Sequence, residues 1–103
     1  MAERSAPRAR AEAEAQAFNQ MVVALQERFG GSVTPRVPQI EREVWLLAEG
    51  VRNGCRFPET GTRWDAQGSV TGYRPGDRIA LSEEVFTRLS EAFLNQVARM
   101  VEV

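Results

Sequence analysis

The sequence predicts an α+β domain: two N-terminal helices, a three-stranded antiparallel β-meander, and a C-terminal helix packed on the sheet. Three observations carry that reading. Apolar residues recur at helical spacing over residues 9–29, 38–52 and 82–101. Five glycines (54, 61, 68, 72 and 76) lie between the second and third of these stretches, where short strand-like runs alternate with turn signals. Two of those turns set a register that sorts the meander into one apolar and one polar face.

The elements follow in order. Residues 1–8 are polar and contain Pro7, and they read as a flexible tail ahead of a single domain spanning 9–103. The first helix, 9–29, is rich in Ala, Glu, Gln and Arg, all good helix formers. Ala11, Ala15, Phe18, Val22, Leu25 and Phe29 fall at alternating steps of four and three, a heptad seam. Gly30 ends it, as a left-handed residue just past a helix does. Pro35 and Pro38 break the connector, and Pro38 suits the first turn of the helix over 38–52. Ile40, Val44, Leu47 and Val51 line one face of that helix. Glu41 and Glu43 sit in its first turns, where the helix dipole favours anions. Asn53-Gly54 marks its end.

The meander is expected over 57–81. Asp65-Ala66-Gln67-Gly68 suits a three-residue hairpin with a bulge. Arg74-Pro75-Gly76-Asp77 has Pro and Gly where a type II turn wants them. The implied register sets Trp64 and Leu81 opposite Val70, Ile79 opposite Gly72, and Arg78 opposite Tyr73. Trp64, Val70, Ile79 and Leu81 then share one face, and Arg63, Thr71, Tyr73, Arg78 and Ala80 the other. Such a split is what a half-buried antiparallel sheet requires. Ser82 caps the last helix, 82–101, with Glu83 and Glu84 in its first turn and Phe86, Leu89, Phe93 and Val97 on its apolar face.

Composition excludes much chemistry. The thirteen basic residues are all Arg, and the chain has neither Lys nor His. A P-loop, Schiff-base chemistry and His-based triads therefore have no residues to work with. Cys55 is the lone cysteine, so no internal disulfide or thiolate zinc site forms. Asp65 and Asp77 occupy turn positions, where Asp bonds its own backbone, and Glu59 has no evident partner. The sequence thus predicts no catalytic residues, no metal, no cofactor and no small-molecule substrate. A formal charge of −1 argues against a duplex-DNA binder. No apolar run is long enough to span a membrane, and the Arg- and Glu-bearing N-terminus does not read as a signal peptide, so a cytoplasmic location is expected.

Two surfaces remain. Between 52 and 78, five Arg (52, 56, 63, 74, 78) stand against three acids (59, 65, 77), a local net of +2, with aromatic residues interleaved. Arg63, Tyr73, Arg74 and Arg78 are the candidate partner-binding residues of that face, since Arg and Tyr are typical interface anchors. Ala11, Ala15, Phe18 and Val22 are the candidates for pairing with a partner helix or a second copy. The functional expectation is a small non-catalytic protein–protein interaction module: an assembly factor, accessory subunit or protein inhibitor. The alternative is a single-stranded nucleic-acid-binding protein that stacks bases on the Arg-rich meander.

Overall fold

A computed structural model describes residues 2–29, 38–59 and 67–102 of the chain. It contains three helices: α1 (Ala2–Phe29), α2 (Gln39–Arg52) and α3 (Glu83–Glu102). Helix α1 begins ahead of the expected Ala9 and runs through Pro7. Helix α2 opens on Pro38 as its N-cap residue; the Pro38 carbonyl accepts from Glu41 N–H at 3.0 Å. Ser82 caps α3, its Oγ accepting from Val85 N–H at 3.2 Å. Glu14 of α1 helps there, because its carboxylate accepts from Glu83 N–H at 3.2 Å.

The core lies where the three helices meet. Val22 and Val23 from α1, Val44, Leu46, Leu47, Ala48 and Val51 from α2, and Leu89 and Phe93 from α3 are buried. Phe57, Ile79 and Leu81 from the connection after α2 join them. Burying each such side chain contributes roughly 1.5–3 kcal/mol, so this cluster dominates the fold's stability. The expected seam of α1 holds from Phe18 to Leu25. It ends at Phe29, which is 41% exposed and meets Phe93 edge-on at 5.8 Å between ring centroids.

The α+β expectation is overturned: the described residues contain no strand and no sheet, and the domain is all-helical. One isolated antiparallel bridge, Arg56 opposite Arg78, stands in place of the meander. The register differs as well. Ile79 N–H donates to the Cys55 carbonyl and Phe57 N–H to the Asp77 carbonyl, each at 2.8 Å, so Ile79 and Arg78 pair with 55–57 rather than with 72–73. The Arg74–Asp77 turn is present, closed by Asp77 N–H on the Arg74 carbonyl at 3.0 Å with Gly76 at φ +91°. A type II turn does not match the twist of paired strands, so a turn there does not imply a hairpin. Trp64, Arg63 and the first half of the first expected turn, Asp65 and Ala66, lie outside the described residues.

What replaces the ladder is a set of side chains. Glu43, 1% exposed, accepts from Val70 N–H at 3.0 Å, Thr71 N–H at 2.9 Å and the Thr71 hydroxyl at 2.6 Å. Asn19, 4% exposed, donates its amide N–H to the Ile79 carbonyl at 2.9 Å and accepts from Leu81 N–H at 3.2 Å. Ala80 N–H between them donates to the Tyr73 hydroxyl at 2.9 Å. Backbone groups that leave water must find partners, and here helix side chains supply what a neighbouring strand would. Gly50 permits the closest approach. A Cβ there would press on the Arg56 carbonyl oxygen and lie 2.6 Å from Ile79 Cδ1, so α2 carries glycine where the connection crosses it.

Candidate functional site

Helix α1, at 28 residues, outruns α2 at 14 and α3 at 20. At 1.5 Å per residue it extends about 42 Å. Its residues 8–14 are exposed throughout, and apolar burial starts only with Phe18. The cause is compositional: Arg-Ala-Arg-Ala-Glu-Ala-Glu sustains a helix but offers no large side chain to bury. The seam that packs on the core from Phe18 onward therefore continues past the body of the domain.

There it forms one wall of a groove of about 570 Å³ that opens to solvent. Arg8, Ala11, Glu12 and Ala15 line the helical wall. Ile79 and Ala80, held in place by Asn19, form the facing wall with Arg78, and Val51 and Cys55 close the end. Gly54 at φ +102° and Cys55 at φ +60° turn the chain sharply after α2, which brings Cys55 up against this groove. The lining is mixed: apolar side chains, the amides of Gln16, Asn19 and Gln20, two guanidiniums and one carboxylate.

The predicted residues separate. Ala11, Ala15 and Arg78 come together in the groove. Phe18 is half-buried against Phe86, at 5.3 Å between ring centroids, and Val22 is fully buried, so both pack on the domain's own core. Tyr73 is half-buried, its ring 6.3 Å from that of Phe57 and its hydroxyl engaged with Ala80 N–H. It supports the connection and is no free stacking platform. Arg74 is exposed at the turn, away from the groove lining. Arg63 lies outside the described residues. Among the described residues no sheet face assembles Tyr73, Arg74 and Arg78.

Compared with family models, curated proteins and solved structures, the chain matches none. Function is therefore read from the chain's own residues. Among the described residues, no three Cys, Asp or Glu side chains converge as a metal site. No helix of the described residues is long and apolar enough to cross a membrane.

Two residues escaped the sequence reading. Glu43 was placed by its charge, at the dipole-favoured start of α2, yet its spacing from Ile40 and Leu47 sets it beside the apolar stripe. That spacing was the available signal. Asn19 is a poor helix former directly after Phe18 in an otherwise strong helix, a sign of a specific partner. The sequence carried no sign that its partner would be residues 79–81.

Proposed function

We propose that this chain is a small non-catalytic protein–protein interaction module, an assembly factor, accessory subunit or inhibitor, that docks through the N-terminal half of α1 and the groove it walls. One observation carries the reading: the N-terminal half of the 28-residue α1 presents Ala11 and Ala15 on the wall of a groove that opens to solvent. The Arg/Tyr sheet face carries no docking surface in this reading, because the described residues form no sheet and Tyr73 is engaged internally. The single-strand nucleic-acid alternative relied on that same face and has no observation in its favour.

The test is affinity capture with the full chain, with and without nuclease, comparing the wild type with Ala11→Arg/Ala15→Arg. Arg is a good helix former, so the variant should keep α1 while filling the groove. The expected result is a protein partner that survives nuclease and is lost with the variant at unchanged helicity. A partner released by nuclease would turn the reading to nucleic acid. A partner indifferent to the variant would move the docking surface elsewhere.

A further inference from the structure

We propose that Asn53 is a site of spontaneous deamidation, converting through a cyclic imide with the Gly54 nitrogen to aspartate and isoaspartate. The site lies in the turn that ends α2 and needs no docking partner.

The chemistry is an acyl transfer within two residues, followed by hydrolysis. The Gly54 backbone nitrogen attacks Asn53 Cγ. The new C–N bond closes a five-membered ring, and the Cγ–Nδ2 bond breaks. Nδ2 leaves as ammonia, taking with it the proton of the Gly54 nitrogen. Water then opens the ring. Attack at Cγ leaves aspartate in an ordinary chain. Attack at the Asn53 backbone carbonyl leaves isoaspartate, whose chain runs through Cβ and Cγ.

Three conditions meet at Asn53 and at neither of the other two asparagines, Asn19 and Asn95. The next residue is glycine, so no Cβ shields the attacking nitrogen. Both residues are exposed, so water reaches the ring. The peptide between them is untied, because neither the Asn53 carbonyl nor the Gly54 N–H is hydrogen-bonded among the described residues. That freedom is needed. At ψ 42° the Gly54 nitrogen stands anti to Cβ, so the peptide plane must turn over before the attack. Gly54, at φ +102°, takes up the counter-rotation, since glycine populates both signs of φ.

One contact opposes the reaction: Asn53 Nδ2 donates to the Glu49 carbonyl at 2.8 Å. It is a single neutral bond on an exposed side chain, and breaking it slows the reaction by no more than about tenfold. The other asparagines are held more firmly. Asn19 is buried, and both Asn19 and Asn95 lie inside helices and precede Gln. The N–H that would attack there is committed to the carbonyl four residues back.

Either product loses the donor to Glu49 and sets a carboxylate at the C-terminus of α2, where the helix dipole disfavours it. Isoaspartate also lengthens the backbone by one methylene two residues before Cys55, which lines the end of the groove.

Incubating the full chain in mildly alkaline buffer and mapping its peptides by mass spectrometry tests the proposal. Aspartate and isoaspartate should both accumulate at position 53. Their appearance should outpace conversion of Asn19 and Asn95 by about tenfold or more, a barrier difference of about 1.4 kcal/mol. Conversion of Asn53 no faster than that of Asn95 would overturn the site. Aspartate without isoaspartate would overturn the route through Gly54. N53D supplies the aspartate product directly and should lower the thermal midpoint by a few degrees. An unchanged midpoint would overturn the weakening of the α2 end.

Discussion

Helices α1, α2 and α3 meet through apolar side chains arrayed at helical spacing, with Val22, Leu47, Leu89 and Phe93 at the centre. The connection from Asn53 to Ser82 is held differently. Phe57, Ile79 and Leu81 anchor it in the core, but Glu43, Asn19 and Tyr73 decide its path by bonding backbone groups one by one. Apolar packing is distributed and tolerant, since many contacts share the energy. The polar clasps are few and specific, and removing one partner leaves a donor or acceptor without its bond. The groove is built where the two regimes join: its helical wall comes from α1, and its facing wall is held by Asn19 together with the burial of Ile79 and Leu81 and the Ile79–Cys55 backbone bond.

Substitutions can break this comparison or sharpen it. Phe93→Ala should cost the most, roughly 3–5 kcal/mol, and should lower the whole thermal transition, because Phe93 sits in the shared core. A near-wild-type melt would reject that core. Glu43→Ala should cost about 3 kcal/mol by stripping three donors of a charged acceptor. Its distinguishing sign is local: amide exchange at Val70 and Thr71 should accelerate by more than the global loss explains. Uniform acceleration across the helices would show that the clasp and the bundle are one cooperative unit.

Smaller effects follow. Gly50→Ala should cost roughly 1–3 kcal/mol despite the better helix propensity of Ala, since the added methyl meets the Arg56 carbonyl and Ile79. A stabilised protein in chemical denaturation would mean the connection can move off α2 freely. Arg52→Ala should cost under about 1 kcal/mol. Its guanidinium reaches Glu27 at 3.2 Å and Glu49 at 3.1 Å, but on a solvated edge where such pairs contribute little. A loss of several kcal/mol in the same titration would assign to surface charge the tie between α1 and α2 that Val22, Val44 and Leu47 are credited with here.

The meander expectation failed for a physical reason that its residues show. Alternation at Val70, Ile79 and Leu81 marked side chains that turn inward: Ile79 and Leu81 are buried and Val70 is half-buried, while Tyr73, expected on the polar face, also packs against the core. Inward-pointing alternate residues need extended backbone, and extended backbone does not need a neighbouring strand if other groups take its hydrogen bonds. Asn19 and Tyr73 do so from outside any ladder. The candidate site was half legible for the same reason. Ala11 and Ala15 could be seen as a seam without large residues. That Arg78 would face them, and that Tyr73 would turn inward, depended on contacts sixty residues apart in sequence, such as Asn19 with Ile79.

By itself the sequence determined the three helices and the faces they bury. Those depend on the spacing of apolar residues and on caps such as Ser82, which act within a few turns of chain. Only the tertiary structure decided the path between α2 and α3, and with it the groove. A backbone hydrogen bond can be satisfied by a strand or by a side chain from a distant helix, and nothing local distinguishes the two. The choice is made when Asn19 and Glu43, carried on packed helices, arrive within reach.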